Sequence, residues 1–191
     1  MKIVNLFLGF SLLVLTACGP IIGGMMASGG GVKDFKVTSG NLSDLKPGSH
    51  IVVLGPFDTT DMAFHICHGE DAAALSGAFN RSGLFISTLK IDERFPEPYP
   101  VVNSYQGQTA QQVQAALALE QAPDLLLSGI IMKREMVTAP AQGVMMRVRY
   151  QLNLLVLATG KLVQIEVEAN DLFEKCVPGM VARLQEQIVG G

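Results

Sequence analysis

Along residues 144–157 apolar and polar side chains alternate almost without a break: Val144, Met146, Val148, Tyr150, Leu152, Leu154 and Val156 against Met145, Arg147, Arg149, Gln151 and Asn153. A period of two sends the two sets to opposite faces of a sheet, so the stretch predicts a strand with one buried and one solvated face. Residues 161–169 repeat the pattern. A two-residue turn at Thr159-Gly160 would place Val156 opposite Val163, Leu154 opposite Ile165 and Leu152 opposite Val167, with Asn153 facing Glu166 and Gln151 facing Glu168. A register shifted by one would set apolar residues against carboxylates, which excludes it. Glu166 and Glu168 lie two apart on one face, and Arg147 and Arg149 on the neighbouring strand supply cross-strand partners for them.

Other periods fill in the rest of the chain. Residues 32–38 read as a short extended piece, and residues 50–54 form an apolar run closed by Gly55-Pro56, a buried strand. Residues 70–81 carry Ala74, Leu75, Ala78 and Phe79 at helical spacing, and Ser82-Gly83 stops the helix before a second strand at 84–89. Strand, helix and strand in so short a stretch predict a right-handed crossover between parallel neighbours. Thr109 and Gln112 make a capping box for a helix to about residue 121 with Val113, Ala116 and Leu117 inward, ended by Pro123. Residues 124–137 form a long central strand. A last helix is expected over 178–189, opened by Pro178, with Val181, Leu184 and Ile188 on one face. The order predicts an α/β two-layer sandwich: a mixed sheet with a parallel βαβ start and an antiparallel three-strand meander, its helices packed on one face, in a single domain over 32–191.

The N-terminal residues change the picture from fold to address. After Lys2 comes an apolar run over 3–15, interrupted at Asn5, Gly9 and Ser11. A spanning helix needs ~20 apolar residues and a secretory h-region about 7 to 15, so residues 1–17 read as a signal peptide. The segment Leu15-Thr16-Ala17-Cys18 resembles the lipobox of bacterial lipoproteins. That resemblance implies cleavage before Cys18 and a covalent lipid, palmitate included, on its sulfur and new amino terminus. Each buried methylene contributes about 0.8 kcal/mol, so several acyl chains anchor a domain firmly. Gly19 stands where lipoproteins kept in the inner membrane often carry Asp, so the resemblance implies the outer membrane and a periplasm-facing body. Residues 18–31 hold the Gly-rich tether. Maturation leaves 174 residues, from 191 less 17, and takes the formal charge from −3 to −4 with the loss of Lys2. No basic cluster offers a footprint for nucleic acid.

An oxidising compartment gives the cysteines meaning. With Cys18 lipidated, Cys67 and Cys176 remain, and they are expected to form a disulfide that would stabilise the fold by about 4 to 5 kcal/mol in the chain-entropy model; two separate thiols are the alternative. His65, Cys67 and His68 are soft ligands within four residues, with Cys176 or Glu70 as a fourth, but the spacing matches no familiar metal motif, and ordinary loop histidines explain it as well. No activated serine or phosphate-binding loop is present in the sequence. Phe95, Tyr99 and Tyr105, in a proline-rich loop, are candidate interface anchors, unless they pack on the body.

Four segments carry a further likeness: Ile51-Val52-Val53-Leu54-Gly55-Pro56-Phe57, Phe79-Asn80-Arg81-Ser82-Gly83-Leu84-Phe85, Asp124-Leu125-Leu126-Leu127-Ser128-Gly129, and Ala158-Thr159-Gly160-Lys161. Over residues 50–189 the chain resembles the N-terminal domain of TolB. Similar domains occur in the curli-secretion lipoprotein CsgG, the penicillin-binding-protein activator LpoB and the polysaccharide-export lipoprotein PelC. The resemblance implies a non-catalytic module that docks on secretion, export or cell-wall machinery, sometimes as a homo-oligomeric ring, with no cofactor beyond the lipid on Cys18. The competing expectation is a periplasmic metal or small-molecule binder using His65, Cys67 and His68.

Overall fold

The computed structural model describes residues 30–91, 101–139 and 143–190. The strands are β1 (Gly31–Ser39), β2 (His50–Gly55), β3 (Asp58–Thr59), β4 (Ile86–Ile91), β5 (Leu125–Ala139), β6 (Gly143–Val156) and β7 (Lys161–Leu172), and the helices α1 (Glu70–Ser82), α2 (Ala110–Leu117) and α3 (Phe173–Val189). They form one sheet in the order β1-β7-β6-β5-β2-β4, with β3 beside β5. β2 runs parallel to β4 and β5, while β5, β6, β7 and β1 form an antiparallel run. The α/β two-layer sandwich with a mixed sheet is therefore the architecture of the described residues.

Burial explains the layers. All six positions of β2 are buried, as suits a parallel strand covered on both faces. One face carries the main core, in which Ile51, Val53, Leu127, Val148, Leu152, Leu154 and Ile165 pack against Leu75 and Phe79 of α1 and Met180, Val181 and Leu184 of α3. On the reverse face a smaller cluster of Val52, Leu54, Leu126 and Leu155 packs against Val113 of α2. Two helices thus cover one face, but the short α2 packs on the other, which corrects the expectation of helices on one face alone: β2 and β5 present apolar residues on both sides, and Val113 covers the second. Beyond it, the reverse face of the meander is polar, with Arg149 bound to Glu168 and Lys133 to Glu135.

Several boundaries differ from expectation for definite reasons. The β6–β7 hairpin pairs Leu154 with Val163, Leu152 with Ile165 and Gln151 with Glu166, two residues away from the expected register. A shift of two leaves every side chain on its own face, so alternation could not exclude it. The turn is four residues long, 157–160, and is closed by Gly160 N–H donating to the Val156 carbonyl at 2.8 Å. Gly160 has φ +67, in the left-handed region that favours glycine. Helix α3 begins at Phe173, a turn earlier than expected, because Cys176 and Val177 also face the core, and Pro178 lies inside it. Helix α2 has its capping box but ends at Leu117, where Ala118 adopts φ 49; Ala116 is exposed rather than inward. The extended piece before β2 is an edge strand on β7.

Candidate functional site

The residues with chemistry gather at one end of the sheet, where the N-termini of α1 and α3 lie beside β5 and β6. A bulge decides which side chains reach that place. Ile131 pairs with Tyr150, but the next partners are Lys133 with Arg149, and the register shift between them inserts Met132 as an extra residue. Inward and outward positions exchange beyond the bulge. Lys133 and Glu135 therefore join the polar face, and Arg134 turns into the core side.

Arg134 is 3 % exposed, which a charged side chain tolerates only with matched partners. Its Nη2 donates to Asp71 of α1 and, at 3.1 Å, to the Tyr150 hydroxyl, and Tyr150 itself donates to Asp71. Its Nη1 donates to the Phe64 carbonyl at 2.7 Å, and its guanidinium lies 5.8 Å from the centre of the Phe64 ring. Burial opposes the charge on Arg134, but Tyr150 and Asp71 outweigh it and hold the group above its ordinary range. Burial, reinforced by the Asp71 charge, lifts the Tyr150 hydroxyl well above 10. The arrangement is a clamp. It ties α1, β5, β6 and the loop 60–69 together, and the loop is further held by Arg134 N–H donating to the Met62 carbonyl at 3.1 Å and by Thr60 Oγ1 donating to the Met132 carbonyl at 2.6 Å.

Beside the clamp lies a cavity of 230 Å³ lined by Glu70, Asp71, Tyr150, Phe173, Cys176 and Pro178, among others. Glu70 Oε2 and Arg134 Nε are buried without hydrogen-bond partners. Each such atom lowers stability. The Cys176 Sγ lies 3.5 Å from the Leu172 carbonyl oxygen and 3.7 Å from those of Met146 and Asp171, so its single S–H proton has three acceptors within reach and donates to one of them at a time. Burial pushes its thiol up to about 11. Tyr150 and Cys176 both remain protonated at neutral pH, so neither supplies a base or a nucleophile there.

The fold is similar to that of PelC. A PelC dodecamer from Paraburkholderia phytofirmans matches with a TM-score of 0.50 at 12 % identity, over 81 % of this chain and 96 % of that one. A hypothetical protein from Chlamydia trachomatis gives 0.45 at 9 % identity over 75 % and 99 %. A lipoprotein from Neisseria meningitidis gives 0.42 at 12 % over 76 % and 100 %. No protein-family model matches the sequence, and no curated protein does. At such identities the PelC likeness concerns the fold.

The residues singled out from sequence fare differently. Cys67 and Cys176 are both free, which corrects the expected disulfide: Cys67 is exposed in the loop before α1, whereas Cys176 is buried under the first turn of α3 and directed at backbone carbonyls. The His65 and His68 rings stand 4.5 Å apart, inclined at 59°; burial and then the neighbouring His65 lower the His68 pKa below 6.5. Among the described residues, no three His, Cys, Asp or Glu side chains come together to hold a metal ion. Tyr105 is half-buried against the reverse-face cluster. Cys18, Phe95 and Tyr99 lie outside the described residues. No described helix is long and apolar enough to cross a membrane.

Asp71, Arg134 and Tyr150 escaped the sequence reading. Tyr150 belongs to the inward series of the alternating strand, but Arg134 joins that side only because of the bulge, and nothing in the sequence sets Asp71 apart from other acidic residues of a first helical turn. A tyrosine within an otherwise aliphatic inward series was the available signal, since a buried hydroxyl needs a partner.

Proposed function

We propose that this chain is a non-catalytic lipoprotein anchored through Cys18 to the outer membrane, facing the periplasm and serving as an accessory component of an envelope complex by protein contacts. The observation that carries this reading is the lipobox-like Leu15-Thr16-Ala17-Cys18 ahead of a PelC-like fold. PelC forms a dodecamer, and a homo-oligomer is the corresponding expectation for this chain. Further support comes from the surface of the loop 60–69, where Met62, Phe64 and Ile66 are 64, 40 and 39 % exposed. The buried Arg134 holds that loop in place, and a rigid apolar surface is well suited to docking because little ordering remains to be done on contact.

The test uses the full-length chain in its native membranes. Cys18→Ser should abolish lipid labelling and release the protein from the outer-membrane fraction, and crosslinking of the wild type should recover defined envelope proteins together with homo-oligomers. Unchanged membrane retention of the serine variant, or a wild-type protein that crosslinks to nothing, would overturn the reading.

A further inference from the structure

The two edges of the sheet are built differently. β1 changes register against β7 between Val32 and Asp34 and again between Val37 and Ser39, and it carries Lys33, Asp34 and Lys36. Irregularities and charges of this kind keep an edge from pairing with another chain. β4, at the opposite edge, runs in unbroken register with β2. It has one charge, Lys90, and no proline, and it leaves Ile86 63 % exposed and Leu89 and Ile91 each 36 % exposed. By these measures β4 is the edge suited to a further strand.

Among the described residues, one side chain stands in the way. The Ile86 N–H donates to the Ser49 carbonyl at 3.0 Å, toward β2, so by alternation the pairing groups of Ser87, Leu89 and Ile91 point outward. Asn80 of α1 takes both of those at Ser87: its Oδ1 accepts from the Ser87 N–H at 2.7 Å, and its Nδ2 donates to the Ser87 carbonyl at 2.9 Å. A side-chain amide offers the same donor and acceptor as a peptide group. Asn80 thus occupies the position of a residue in an adjoining strand.

We propose that Asn80 is a latch on the β4 edge, and that with the latch open this edge pairs antiparallel with β4 of a second copy. The segment complements itself about Leu89. With Leu89 of one copy opposite Leu89 of the other, each Ser87 lies opposite the other copy's Ile91, and Lys90 meets Thr88, so no like charges face each other. Leu89 and Ile91 of both copies then share the face of the joined sheet that carries the main core, because Leu89 is the partner of the core residue Val53. With the latch closed, both pairs that involve Ser87 are blocked and only the central Leu89 pair remains. The closed latch keeps this edge unpaired, whether or not the chain serves an envelope complex.

The test again uses the full-length chain in membranes, with Cys67→Ser to remove the exposed thiol and Leu89→Cys as a reporter. Directly opposed residues in a hydrogen-bonded antiparallel pair have Cα atoms about 5.5 Å apart, within reach of a disulfide. Under mild oxidation, adding Asn80→Ala should raise the disulfide-linked dimer about tenfold, the equivalent of roughly one net hydrogen bond. Adding Ser87→Pro as well should return it to background, because proline lacks the donor and is tolerated at an edge. Should Asn80→Ala fail to fold, Asn80→Asp, which keeps the acceptor and loses the donor, is expected to act in the same direction. No rise on opening the latch, a rise that survives Ser87→Pro, or crosslinking of Leu89→Cys to a different protein in place of itself would each overturn the proposal.

Discussion

Arg134 shows how one side chain can organise a corner of the molecule. Its partners Asp71 and Tyr150 are held so far from water that removing the guanidinium strands a carboxylate in the core. Arg134→Met should therefore cost about 3–5 kcal/mol, measured by urea unfolding. Replacing Asp71, Arg134 and Tyr150 together by apolar residues of similar volume should cost far less, since no charge is then left unmatched; equal losses in the two variants would show that the clamp is not the source. The thiols give a second check. In the native mature protein Cys67 should react with a thiol reagent at once and Cys176 only on unfolding, because one is exposed and the other buried and protonated; protection of both without reductant would restore the disulfide. The pH dependence has a definite sign. Cys176 moves from 9.0 up to about 11 on burial, and Tyr150 also moves upward, so between about pH 9 and 11 the unfolded chain loses protons that the folded chain keeps. Stability should fall with rising pH in that window, by about 1.4 kcal/mol per pH unit for the thiol, and these two groups should contribute no slope below it. A flat profile from pH 8 to 11 would contradict the burial of both groups.

At the scale of elements, two local devices invite test. Gly160 closes the β6–β7 turn at φ +67, so Gly160→Ala should destabilise by about 1–2 kcal/mol, although a Cβ there meets no neighbouring atom. A loss near zero in thermal unfolding would mean that the turn relaxes to another form. The capping box at Thr109, whose N–H donates to Gln112 Oε1 at 2.8 Å, opens a helix with one fully buried residue, Val113. Thr109→Ala should cost about 1 kcal/mol, and amide exchange over residues 110–117 should rise well before the sheet is affected. These devices were legible in the sequence because each is local: a threonine three residues before a glutamine, and a threonine-glycine pair between two alternating runs. The starts of α3 and the length of the hairpin turn were not, since both depend on which residues find a core to face.

For the whole molecule, the faces of the strands, the βαβ start and the meander followed from the linear sequence, because a period of two or of 3.6 assigns a side chain to a face before any long-range contact is made. The lipobox-like segment is of the same kind, a short motif read in order along the chain. Only the tertiary structure decided which way Arg134 points, that Cys67 and Cys176 stand apart, and that Asn80 reaches from α1 to the edge of β4. The reason is physical. One extra residue in a strand reverses every position beyond it, and the meeting of groups distant in sequence is fixed by how helices and sheet pack, neither of which leaves a periodic trace in the order of the amino acids.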